Sequence, residues 1–290
     1  MLIKYPKKLK LFYGIVFLLF QKIAFAIDLQ PGEIKAPSGT FNSAQISYLY
    51  VEKNDKYTHG NKVLDNTQIN QNAMLLRLGH AFEISQIPAY VYAQSSMNHF
   101  DNNIQANTNS SGLGDTTLAF AMWPYANREK DEYIGFAGYV LLPTGDYDRN
   151  RAINSGSNVY QLAFQTGYQT KVTNQINWMT ALDVILTGDN NQYLGSQKLE
   201  KDPLYNFQTG FQYVFNPTYS VSVNYFYTIG GENTQDSIDL GNITKIHRYQ
   251  LTGQANYGFG RLTLQYGSEF ANENSYIEDH RLITRYTFRF

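Results

Sequence analysis

Cysteine is absent from the 290 residues, so disulfides, thiolate metal sites and a lipid-modified cysteine are all unavailable. Tryptophan is scarce at 2 residues, proline at 8, and the formal net charge of -1 supplies neither a basic footprint for nucleic acid nor an acidic tail. No apolar run approaches the roughly eighteen uninterrupted residues of a membrane helix, which excludes helical spans on length. What the chain has instead is tyrosine, 24 residues, and phenylalanine, 18, in a sequence that is otherwise polar. A membrane β-barrel accounts for that pairing, since only the lipid-facing half of each strand is apolar while lumen and loops are wet and aromatics gather at the two interfaces.

The first residues follow the order of a secretory signal. Lys4, Lys7, Lys8 and Lys10 precede an apolar stretch over residues 11–20, which leads into Ala24, Phe25 and Ala26. The stretch is too short to span a bilayer as a helix, and the small residues Ala24 and Ala26 suit a peptidase, so cleavage after Ala26 is expected. The division is then a signal peptide over 1–26, a periplasmic N-terminal segment over 27–40 and an outer-membrane β-barrel domain over 41–290.

Period-two alternation carries the fold class, because successive strand side chains point to opposite faces. Over residues 204–215, Tyr205, Phe207, Phe211, Tyr213 and Phe215 share one face with Thr209, and Asn206, Gln208, Gly210 and Gln212 share the other. Over 219–229, Tyr219, Val221, Val223, Tyr225, Tyr227 and Ile229 oppose Ser220, Ser222, Asn224 and Thr228, with Phe226 as the exception. Similar segments cover 160–168, 176–186, 248–259 and 261–269. Further strands are expected near 41–51, 73–82, 88–96, 115–124, 132–142 and 280–290, the one at 132–142 without a polar face. The sum is about twelve strands in an all-β, transmembrane, antiparallel up-and-down barrel. The connections alternate between long ones, such as 52–72, 97–114, 143–157, 188–203 and 230–244, and compact turns such as 83–87, 171–175 and 216–218. That is the sorting of outer-membrane barrels, with long loops outside and short turns on the periplasmic side.

The last strand ends with Tyr286, Phe288 and Phe290 on alternate positions. This resembles the C-terminal signal read by the barrel-insertion machinery. Charge on the polar faces of late strands belongs in the lumen, which makes Asp183, Arg248, Arg261, Glu269, Arg281 and Arg285 the candidate lumen and selectivity residues. They either pair with one another to fill a narrow barrel or set a transverse field that selects solutes.

Seven motifs recur in an order and spacing that resemble the meta-pathway phenol-degradation transporter family of outer-membrane barrels. They are the stretches Asp28-Leu29-Gln30-Pro31-Gly32-Glu33, Ser111-Gly112-Leu113-Gly114-Asp115 and Leu142-Pro143-Thr144-Gly145-Asp146-Tyr147-Asp148, then Gly188-Asp189-Asn190, Lys201-Asp202-Pro203, Gly230-Gly231-Glu232 and Glu278-Asp279-His280-Arg281-Leu282. The resemblance covers nearly all of the mature chain. It implies a location in the bacterial outer membrane, contact with outer-membrane lipid, and passive uptake of small hydrophobic or aromatic molecules. A general or sugar/nucleoside-type diffusion channel and a surface receptor or adhesion barrel are the alternatives, and fold alone does not choose among them.

An enzyme is not expected. A barrel phospholipase needs a serine activated by a histidine at a strand's outer edge, and no such pair is legible. His80 and His247 fall on lipid-side faces, and His59, His99 and His280 form no metal spacing. Asp146, Asp148 and Asn150 imitate the opening of a calcium loop, but Arg151 stands where the glycine belongs and Ser157 where the bidentate glutamate belongs. No metal and no cofactor are therefore expected.

Overall fold

The computed structural model describes residues 28–103 and 109–290, so the expected cleavage site at Ala24 and Ala26 lies outside the described residues. Twelve antiparallel strands close on themselves. In chain order they are β1 (Phe41–Thr58), β2 (Ile69–Ile84), β3 (Ile87–Asp101), β4 (Thr116–Asn127), β5 (Glu132–Leu142) and β6 (Gln161–Lys171), followed by β7 (Ile176–Thr187), β8 (Leu204–Val214), β9 (Tyr219–Gly230), β10 (Thr244–Tyr257), β11 (Gly260–Glu273) and β12 (Tyr276–Arg289). Each strand pairs with its sequence neighbours, and β12 pairs with β1 from Ser43 opposite Arg289 to Val51 opposite Arg281. Closure leaves no open edge, which in hydrocarbon would strand N–H and C=O groups at several kcal/mol each.

The alternation read from the sequence is the in-out alternation of the wall. Leu76, Phe164, Leu182, Phe211, Leu264 and Leu282 are about half exposed on the outer surface, as side chains against lipid tails must be. Their neighbours Gln94, Gln165, Gln208, Gln250, Gln254 and Gln265 are buried in the bore. Aromatics mark both rims. Tyr213 and Phe215 meet at 4.9 Å, and Tyr286 and Phe288 at 4.5 Å, near the short turns. At the other end His247 lies 4.7 Å from the Tyr227 ring and 2.7 Å from the Tyr225 hydroxyl. This histidine is part of the interfacial girdle, and His80, 2.8 Å from Asn42 and stacked on Phe82, plays the same part at the opposite rim.

Two features differ from the sequence reading, each for a physical reason. Several strands run past the alternating stretch: β1 continues to Thr58 and pairs with a short strand at Asn61–Leu64. Above the lipid both faces are wet, so the ladder persists where hydropathy no longer alternates. Likewise the loops after β7 and β9 build a separate four-stranded sheet from Asn190–Tyr193, Gln197–Lys201, Asn233–Gln235 and Ile238–Asp239.

A charge on the outer belt tests this arrangement by depth. Leu264→Arg, in the middle of β11, is expected to cost about 2–4 kcal/mol in reversible unfolding from lipid vesicles, and Phe259→Arg, at the β10–β11 turn, about 0–1 kcal/mol. Equal costs would mean that the belt does not face hydrocarbon.

Candidate functional site

The bore is occupied by the chain's own N-terminal segment. Residues 35–37 are held at the rim on the short-turn side, where Lys35 pairs with Asp131 at 2.6 Å and Arg128 donates to the carbonyl oxygens of Ala36 and Pro37. Further in, Trp123 Nε1 donates to the Ile34 carbonyl at 2.6 Å, Gln254 to the Pro31 carbonyl at 3.2 Å, and the Leu29 amide donates to Gln208 Oε1 at 3.0 Å. Pro31 and Gly32 make the reversal inside the bore, Gly32 with φ +81°, a left-handed conformation that glycine adopts without Cβ strain.

Two carboxylates of the segment reach separate parts of the wall, β10 and β2. Asp28 Oδ2 sits 2.6 Å from Arg248 Nη2 and 4.0 Å from Arg281, and Glu33 pairs with Arg77 at 3.3 Å. Arg281 in turn makes a two-point contact with Glu278, both of its hydrogen bonds at 2.8 Å, and Lys53 approaches the same carboxylate at 3.4 Å. Buried charges of this kind need a counter-ion or good hydrogen bonds to offset their lost hydration. Phe226, the one break in the alternation of β9, faces inward because it lies beneath the Arg248 guanidinium at 4.2 Å.

All six lumen residues read from the sequence point into the bore. Asp183 accepts from Gln208 at 2.6 Å, and Glu269 accepts from Asn272 at 2.8 Å and from the Glu278 amide. Arg261 donates to Asn256 at 2.7 Å, and Arg285 to Gln265. The structure joins Arg248, Arg281 and Glu269 into one network and leaves Asp183 on the far wall. Sequence reasoning missed Asp28, Glu33, Arg77, Lys53 and Glu278. Three of these stand inside the motifs Asp28–Glu33 and Glu278–Leu282 quoted above, which was the available signal.

Between segment and wall lies a chamber of about 500 Å³, bordered by Ile34, Arg77, Tyr90, Tyr92, Trp123, Tyr139, Arg261 and Arg289. Its apolar side explains why β5 has no polar face. Tyr133 and Tyr139 point inward, and Tyr133 packs with Ile34, Ala36, Trp123 and Met179 rather than against water. The polar tips of the rings are bonded elsewhere, Tyr90 to Ser43 at 2.6 Å and Tyr139 to Gln165 at 2.7 Å, so faces and edges remain for a solute.

The opposite mouth is covered by the loop after β5. Asp115 accepts from the Gly145 and Ser157 amides, and Gly145 and Gly156 approach so closely that a Cβ on Gly156 would stand 2.5 Å from the Gly145 carbonyl carbon. Ile153, Asn154 and Ser155 of this loop are buried. Asp146 caps the Leu113 amide and Asp148 the Asn150 amide, so both carboxylates serve the turn. A second cavity of about 130 Å³ here is lined by Tyr147, Asn190, Tyr193 and Lys201. Burial pushes the Lys201 amine down to about 8 and the Tyr193 hydroxyl up to about 12.

One linkage was not legible in the sequence. His99 lies between Ser111 Oγ, at 2.5 Å from Nδ1, and Asp101, at 2.9 Å from Nε2. The Gly114 amide bonds Ser96, which by ladder alternation makes His99 and Ser111 a non-hydrogen-bonded pair with closely spaced side chains. The expectation of no serine–histidine pair is thereby corrected. His99 and Asp101 are 51% and 45% exposed, so this is a solvated cross-strand cluster without the water-excluding cleft that makes such a relay reactive.

Removing the Asp28 charge tests the anchor. Asp28→Asn leaves Arg248 buried without its carboxylate, a change worth about 3–5 kcal/mol. It should loosen the segment and raise single-channel conductance in planar bilayers. Conductance unchanged from the parent would mean that the segment does not obstruct the path.

Among solved structures, the chain is similar to the COG4313 outer membrane channel from Pseudomonas putida F1, with a TM-score of 0.87 and 24% identity over 91% of this chain and 100% of that one. More distant likenesses are the toluene transporter TodX of Pseudomonas putida, TM-score 0.51 and 9% identity over 88% of this chain and 90% of the other, and the β domain of the Bordetella autotransporter BrkA, TM-score 0.53 and 10% identity over 86% and 100%. At these identities the likeness speaks for the fold, that of bacterial outer-membrane barrels. No curated protein matches. The family described as "Putative MetA-pathway of phenol degradation" matches residues 53–285, in agreement with the order of loop motifs, and the chain belongs to that family.

Proposed function

We propose that this barrel admits small hydrophobic or aromatic molecules across the outer membrane by passive diffusion. The observation that carries the reading is the aromatic chamber inside the bore, whose volume falls within the range of about 300–1,000 Å³ usual for small-molecule sites. A passage for ions alone gains nothing from a lining that includes Ile34, Trp123, Tyr92 and Tyr139. The family description and the toluene transporter among the structural likenesses support the same class of solute. Arg248 and Arg285 border neither cavity, so they bias what passes through their field across the bore and, for Arg248, through the ion pair with Asp28 that holds the segment. Tyr286, Phe288 and Phe290 serve a different partner, the insertion machinery, and the exposure of Phe288 and Phe290 suits that contact.

Two measurements check the proposal. Cells lacking the protein should take up a labelled monoaromatic compound more slowly than cells carrying it, and normal uptake across a broad aromatic panel would contradict the reading. In planar bilayers, Arg248→Gln and Arg285→Gln should each shift ion selectivity towards cations, and unchanged reversal potentials in both would remove these residues from the path.

A further inference from the structure

The charges inside the bore are unevenly compensated. In the N-terminal anchor every charge has a counter-ion: Asp28 with Arg248, Glu33 with Arg77, and Glu278 with Arg281 and Lys53. At the chamber's open, short-turn end this stops. Arg261 donates to the neutral amide of Asn256, and Arg289 lies over the Phe41 ring at 4.8 Å. Neither forms an ion pair with a carboxylate within 4 Å among the described residues, although Arg261 feels the field of Glu33 as well as that of Arg289. Both border the aromatic chamber; of the bore's carboxylates Glu33 also borders it, but it is already paired with Arg77 and accepts from Gln30, while Asp183 and Glu269 do not border it.

A guanidinium offers five donors in a planar fork, of which Arg261 spends one. Two such forks at the edge of an aromatic-lined cavity match a planar ring with an anionic group on its rim. The geometry points to aromatic carboxylates as the preferred solute of this chamber: the ring packs against Tyr92, Trp123 and Ile34, and the carboxylate is held by Arg261 and Arg289. This rests on the uptake function proposed above and narrows its substrate class from hydrophobic to amphipathic and anionic. The distant mouth agrees in sign, because Lys201 also lines its cavity with no carboxylate partner among the described residues. A neutral hydrocarbon would use the rings and leave the two guanidiniums idle.

Calorimetric titration of the purified, folded barrel with benzoate, benzyl alcohol and acetate at neutral pH separates the possibilities. Benzoate is expected to bind at least about tenfold more tightly than benzyl alcohol, the factor that a single charge-assisted hydrogen bond supplies, and acetate to bind more weakly than benzoate. The double variant Arg261→Gln, Arg289→Gln should erase the preference for benzoate while leaving benzyl alcohol affinity in place, and Arg261→Lys, Arg289→Lys should retain part of it. Heat-dependent gel mobility verifies that each variant is a folded barrel, and the single rim variant Arg289→Gln serves where the double one fails to fold. Benzyl alcohol bound as tightly as benzoate would overturn the anionic preference and leave the uptake reading standing. Binding of neither aromatic would overturn both.

Discussion

Hydrocarbon offers no partner for a peptide group, and from this one constraint the rest of the molecule follows. Every strand must be bonded on both sides, so the sheet closes, and the pairing of β12 with β1 completes the ring. Closure fixes which side chains meet lipid and which meet the lumen, residue by residue, since a slip of one position would exchange the two sets. The register is therefore held by solvent along most of the seams, and the shifts in it fall at a few places, such as His247/Arg248 and Met122/Tyr125.

A ring of this size leaves a bore too wide for side chains from the wall to fill and too narrow for charges to stay fully hydrated. The chain resolves this with its own first described residues. Asp28 and Glu33 bring carboxylates to Arg248 and Arg77, while Leu29, Ile34 and Ala36 supply an apolar flank against Trp123, Tyr133 and Met179. The lumen is thus divided into a charged, tightly bonded side and an aromatic side with open volume. Transport is assigned to the second because only there is space left unoccupied beside groups that suit an aromatic solute.

The later strands were legible because lipid and water impose opposite demands on alternate residues. In β8, Tyr205, Phe207 and Phe211 face out while Gln208 and Gly210 face in, as the sequence alone indicates. Where that opposition relaxes, so does the reading. In β5 the inner face is apolar because it packs on the N-terminal segment, and in β9 Phe226 turns inward to support Arg248. Long-range pairs escape sequence inspection altogether, since nothing near Asp28 announces that its partner is Arg248, 220 residues away. The candidate charges were found through the polarity of their strand faces, but their partners on the N-terminal segment needed coordinates.

Aromatic solutes in transit should occupy the chamber between the N-terminal segment and the wall. Anomalous diffraction from crystals of the barrel grown with 4-bromophenol, a neutral aromatic, locates the bromine directly. The expected result is a peak inside the bore among Ile34, Tyr92 and Trp123. Peaks confined to the outer apolar belt, with an unoccupied chamber, would contradict it.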